Sequence, residues 1–225
     1  MRLAFILSFG VCVLAAIAFA ADDWADNKVA YHRHTIPNAG DLILIAPRLD
    51  HLEGASLNDI LGTQLPVNSK AHVWNGTGYD ISTRVVFFGP WSPNRTVIRG
   101  QALFVELPST QSNVTFTLTG EIPDESNGGG TTTVSVIGLD AVSYPYPAEI
   151  EFGDTQTAIT AAVNSAVFFW NVDDQEYDAP VSKSVFFGWG SADTRDISIG
   201  EGFFMETPTN KNIDAKEVQP YQLCL

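Results

Sequence analysis

The stretch Tyr31-His32-Arg33-His34-Thr35 sets two imidazoles two residues apart. In an extended chain alternate side chains share a face, so His32 and His34 stand side by side, a spacing that can chelate a transition metal. Asp50 or His51 is available as a third ligand. The competing reading is a strand with two exposed polar residues, and neither HExxH nor CxxC accompanies the pair to support a metal enzyme. A second cluster, "DDQEYD", gathers Asp173, Asp174, Glu176 and Asp178. Hard oxygen ligands at this density can hold calcium, but the spacing is not that of an EF-hand loop and equally suits a solvated acidic turn.

Trp91 and Trp189 follow the two Phe-Phe-Gly stretches, in loops rich in Gly, Pro and Ser. Exposed rings there would stack on sugar faces, so this pair is the expected carbohydrate platform; the alternative is rings that close the end of a β unit. Trp74 and Trp170 stand at matching strand positions and are expected to pack in the core. Cys224 is the one cysteine left if Cys12 departs with a leader, which makes it a candidate intermolecular crosslink or a buried inert thiol. No GxSxG elbow occurs, and Gly128–Gly130 lacks the lysine of a phosphate loop. The reading is therefore of a non-enzyme with no cofactor; calcium at the acidic turn is the one ion considered.

The elements that must position these residues come in two copies. "VFFGPWSPNRTVIRGQALFVELP" (86–108) returns as "VFFGWGSADTRDISIGEGFFMETP" (185–208), and "PVNSKAHVW" (66–74) as "AVNSAVFFW" (162–170). A weaker match sets "IAPRLD" (45–50) over "VSYPYP" (142–147). Matches in one order over about 100 residues indicate an internal duplication. Short β-branched or aromatic runs bounded by Gly, Pro, Asn and Ser predict strands over 41–46, 71–74, 84–88, 102–106 and 115–119. In the second copy they fall at 133–137, 167–170, 184–187 and 202–206. "WNGTGYD" reads as a hairpin with Asn-Gly at its tip, and "WNVDDQEYD" as its acidic counterpart. Only 56–65 and 155–166 suit short helices. The predicted fold is all-β: two tandem, sandwich-like or barrel-like units at 21–124 and 133–210, a Gly-rich linker at 125–132 and a polar tail at 211–225. Gly100 and Gly200 are expected at positive φ, and Phe104 and Phe204 are expected to close each unit's own core.

Arg2 followed by an apolar run from Leu3 to Ala20, ending in Ala-Phe-Ala, predicts a secretory leader over 1–20 cut after Ala20. No later stretch is long and apolar enough to span a bilayer as a helix. The formal charge is −14, and loss of Arg2 makes it one unit more negative. A surface of this sign repels phosphate backbones and anionic headgroups, which argues against nucleic acid as a partner.

The hairpin "WNGTGYD", the strand "GEGFFMETP" and the closing "VTFTLTGEIP" resemble an uncharacterised family of secreted bacterial repeat proteins. Those carry WNG-x-x-Y, GEGFF-type and TLTFTGEV-type segments in the same order. The resemblance spans most of 40–210 and implies secretion and a β-repeat fold. Copy one departs at Gln101-Ala102, and copy two ends in "KNIDAKEVQP", too polar for the closing strand. The functional expectation is a secreted structural or surface-associated protein, self-associating or bound to another extracellular protein. The alternative is a module that binds extracellular glycan.

Overall fold

The computed structural model describes residues 29–49, 56–87, 90–123 and 130–221, and Val29–Tyr221 form one compact unit. The expected leader over 1–20, His51, Asp50 and Cys224 lie outside the described residues. In the first half the strands are β1 (Val29–Ile36), β2 (Leu42–Ile45), β3 (Lys70–Trp74), β4 (Tyr79–Arg84), β5 (Trp91–Ser92), β6 (Leu103–Glu106) and β7 (Val114–Glu121). In the second they are β8 (Thr131–Ile137), β9 (Leu139–Ser143), β10 (Ile150–Glu151), β11 (Ala166–Asn171), β12 (Glu176–Tyr177), β13 (Val181–Ser182), β14 (Asp196–Ile197), β15 (Gly202–Glu206) and β16 (Asn212–Val218). The protein is all-β, with two short α-helices among the described residues, Leu57–Ile60 and Gln156–Thr160. Among those residues every sheet is antiparallel and none closes into a barrel.

The pairings run in parallel through the two halves. β1 pairs β7 as β8 pairs β16, each an antiparallel ribbon. The first five-stranded sheet has the order β2-β6-β3-β4-β5; the second has β12-β11-β15-β9 with β13 also on β11. Each ribbon covers one face of its sheet. Alternation explains this: Phe116 and Leu118 of β7 turn inward with Ile43, Val73 and Val105, whereas Val134, Val136 and Ile213 turn in beside Phe203 and Met205.

The edge strand β2 and the inner strands β6 and β15 are apolar on both faces because both faces are covered. Leu103 and Val105 face the first half's core, and Phe104 faces away from it; Phe203 and Met205 face the second core, and Phe204 faces away. The turned-away rings meet in a third layer with Leu44, Ala102 and Ala141, shared by the two sheets. Phe104 and Phe204 therefore do not close separate cores as expected. They stack on one another, with centroids 6.3 Å apart and planes 24° apart.

The halves are also stitched at their edges. Ala102 N donates to Ala141 O at 3.0 Å and Ser143 N to Gly100 O at 3.0 Å, while Ala46 N donates to Gly200 O at 2.9 Å. Bridges Gln101–Val142 and Ile45–Glu201 are thus reciprocal. Gly100 and Gly200 have φ of 89° and 78°, as the repeated motif leads one to expect.

Four expectations are corrected. Residues 85–87 and 185–187 are not strands but exposed turns: Phe87 is 73% exposed and Phe186 87%. Ser184 N donates to Gly188 O at 2.7 Å, and the Ser184 hydroxyl accepts from the amides of Phe186 and Phe187, so this turn satisfies its own polar groups. The polar tail contains β16, pairing all along β8. Its inward residues are Ile213, Ala215 and Glu217, and the last hides the alternation because it is a carboxylate. The buried Glu217 accepts from Gln156 N at 3.1 Å and Thr157 N at 2.7 Å, capping the second helix, which is why a charge can point inward there. Finally, Thr131 and Thr132 belong to β8 rather than to the linker.

Candidate functional site

Where the two sheets meet, the aromatic residues of the matched hairpins come together. Trp74 ends β3 and Tyr79 begins β4; Trp170 lies in β11 and Tyr177 in β12, and each pair is cross-strand. Trp74 and Tyr79 meet edge to face at 5.1 Å, and Trp170 and Tyr177 also at 5.1 Å. Burial raises the pKa of both Tyr79 and Tyr177, keeping their hydroxyls neutral.

The two sides of this layer differ. On one side Trp74, Tyr79, Phe168, Tyr177, Phe204 and Glu206 line, with Leu139, a cleft of about 280 Å³. On the opposite side the acidic tip plugs the matching place. Gln175 Oε1 accepts from Leu42 N at 2.7 Å, and Gln175 Nε2 donates to Leu42 O at 3.2 Å. The shorter tip of the first half, Asn75–Gly78, has no long side chain at its end to bond Leu139 as Gln175 bonds Leu42.

Strand register sets a second difference. Lys70 lies opposite Glu106 and His72 opposite Phe104, and Lys70 Nζ and His72 Nε2 bond the Glu106 carboxylate at 2.7 and 2.8 Å. Burial pushes the Glu106 carboxyl up, but those two partners outweigh it and hold it below the ordinary value. At the corresponding positions Ala166 faces Glu206 and Phe168 faces Phe204. Glu206 is exposed and, among the described residues, has no hydrogen-bond or ion-pair partner. The cleft thus combines ring faces with one carboxylate free to accept.

The residues picked out in the sequence fare unevenly. Trp91 and Trp189 are 1% and 2% exposed, and their indole N–H groups donate to Gly62 O and Ala158 O at 3.0 Å each. A ring wedged against a short helix offers no face to a sugar, so both are core residues rather than platforms. His32 and His34 do share a face, with centroids 4.4 Å apart, but they pack on Phe116 and on Gly200, where a Cβ would lie 2.6 Å from His32 Cδ2. Burial, then His32 and Arg48, hold the His34 pKa down to about 3. Asp174 and Asp178 accept from Asn171 Nδ2 and so brace their own turn. Among the described residues no group of three or more His, Cys, Asp or Glu is placed to hold a metal.

What the sequence reading passed over is Tyr79, Phe168, Tyr177 and Phe204. The signal was present: Tyr79 and Tyr177 follow matched tryptophans in matched hairpins. No helix among the described residues is long and apolar enough to cross a membrane. No protein-family model, curated protein or solved structure matches this chain.

Proposed function

We propose that this chain is an exported, non-enzymatic β protein, built by duplication of one unit, that holds an extracellular glycan in the cleft of Trp74, Tyr79 and Phe168. Export rests on the leader expected over 1–20, and duplication on the ordered sequence match together with the parallel pairings of the two halves. The resemblance to secreted repeat proteins supports both. The observation that carries binding is the open aromatic cleft itself, kept open by the short Asn75–Gly78 tip while its counterpart is plugged by Gln175. Ring faces take the C–H face of a pyranose, and Glu206 accepts from a sugar hydroxyl.

Titration of the purified chain with a panel of extracellular oligosaccharides, followed by tryptophan fluorescence, tests this reading. Saturable binding that Phe168→Ala and Tyr79→Ala each weaken at least tenfold is the expected result. Binding that is indifferent to both changes, or no binding across the panel, would reject it.

The structural reading draws on a different observation, the exposed apolar turns at Val86-Phe87 and Val185-Phe186-Phe187. Paired apolar tips on one chain suit self-association, which Cys224 would lock in an oxidising compartment. Concentration-dependent oligomers in sedimentation, dispersed by Phe87→Ser with Phe186→Ser, would favour this reading over glycan binding.

A further inference from the structure

A second cavity, of about 210 Å³, lies between β1, the chain after β2 and the Ile199-Gly200 turn. Its walls are mostly apolar, with Ala30, Ala46, Leu49, Leu118 and Ile199 among them. Arg48 lines it and is 2% exposed. Its Nη1 donates to Tyr146 O and Ala148 O at 3.3 and 3.2 Å, and its Nη2 to Glu201 O at 2.9 Å. Every one of these acceptors is a main-chain carbonyl. Arg48 Nε is buried and, among the described residues, has no hydrogen-bond partner.

A buried guanidinium normally finds a carboxylate, because an uncompensated charge out of water is costly. Among the described residues the carboxylate that acts on Arg48 is that of Glu201, and it is already taken: Oε1 bonds Arg195 at 2.7 Å and Oε2 accepts from Ser198 N at 3.0 Å. Among the described residues no acidic side chain lines the cavity, and the other titratable groups that do are His32 and Tyr31. Burial lowers the Arg48 pKa only to about 10, so it stays cationic at neutral pH. His32, whose pKa is lowered by burial and then by Arg48, adds no competing positive charge. The second half has no cation at the matching position. In the alignment of "IAPRLD" with "VSYPYP", which the reciprocal bridges at Ile45 and Val142 support, Pro145 stands where Arg48 does.

We propose that this cavity is a binding site for a small aliphatic monocarboxylate, its carboxylate lying against the Arg48 guanidinium and its hydrocarbon body between the apolar walls. An apolar cavity of about 150 Å³ takes a benzene-sized molecule, so this one has room for about six to eight heavy atoms. A dianion such as phosphate fits poorly, since the walls offer it one cation and little else to bond. The site is separate from the aromatic cleft and does not depend on that cleft's ligand.

Calorimetric titration with sodium hexanoate tests the assignment, with 1-hexanol and inorganic phosphate as comparisons. The expected result is one saturable hexanoate site, at least tenfold tighter than hexanol. Arg48→Gln should weaken it at least tenfold. Since Arg48 also ties the halves together and its loss can impair folding, Ala30→Leu provides an independent variant that narrows the cavity and leaves every Arg48 bond in place; it too should weaken hexanoate at least tenfold. Equal affinity for hexanol and hexanoate, saturable phosphate in place of hexanoate, no saturable hexanoate, or hexanoate binding untouched by Ala30→Leu would each overturn the proposal.

Discussion

Trp74 and Trp170 occupy the same place in the two halves, and each donates its indole N–H into the other half: Trp74 to Leu139 O at 2.6 Å, Trp170 to Leu42 O at 3.1 Å. The acceptors also correspond, since Leu42 opens β2 and Leu139 opens β9. Together with the stacked Phe104 and Phe204, these bonds make the junction of the halves a packed, hydrogen-bonded layer rather than a hinge.

Trp74→Phe keeps a ring in this layer but removes the donor to Leu139 O. A part-buried carbonyl left without its partner typically costs about 1–3 kcal/mol. Chemical denaturation should show a loss in that range, and Trp170→Phe should cost less, because Leu42 O keeps its bond from Gln175 Nε2. A loss near zero for Trp74→Phe would mean water replaces its bond.

The two sheets approach closely at Gly202, whose added Cβ would collide with Ala102 Cβ and lie 3.1 Å from Leu44 Cγ. Ala102 is itself fully buried, so neither side can yield. Gly202→Ala should cost about 1–3 kcal/mol through overpacking. Adding Ala102→Gly should restore most of the stability, because one methyl is then again shared between two positions. Failure of that rescue would place the strain in the backbone of β15 instead.

His34 takes a proton near pH 6.5 when unfolded, but in the folded chain only near pH 3. A folded pKa below the unfolded one means the unfolded state binds more protons in between. The stability contributed by neutral His34 is therefore complete above pH 6.5 and is lost progressively as pH falls toward 3. Melting temperature should drop between pH 7 and 5, above the range where most carboxylates titrate. His34→Phe, which keeps the stacking on Phe116, should flatten that slope. An unchanged slope would assign it to His32.

The repeated Phe-Phe-Gly and Gly-x-x-Phe segments have opposite fates, and substitution should separate them. Phe204→Ala empties a buried site and should cost about 3–5 kcal/mol. Phe186→Ser, at an exposed turn, should leave the melting temperature nearly unchanged. A large loss at Phe186 would reveal a contact made by that ring in solution.

Several features could be read from residue order alone. The all-β class followed from short β-branched runs between turn formers, since period-two alternation is a local property: Phe116 and Leu118 in β7, Val134 and Val136 in β8. The helices at Ser56 and Thr155 and the positive φ of Gly100 and Gly200 were legible for the same reason. β16 was not, because its alternation runs through Glu217, and only the helix that Glu217 caps makes an inward carboxylate acceptable. The turns at Phe87 and Phe186 misled in the opposite sense: a run such as Val-Phe-Phe has the composition of a strand, and only the absence of a paired neighbour leaves it in solvent. Tertiary packing alone decided that Phe104 and Phe204 would face each other, that Trp91 and Trp189 would be enclosed, and that Tyr79, Phe168 and Tyr177 would share a cleft. Sequence spacing states which residues lie on one face of a strand; what lies against that face depends on a second sheet about 100 residues away, and no local pattern carries that distance.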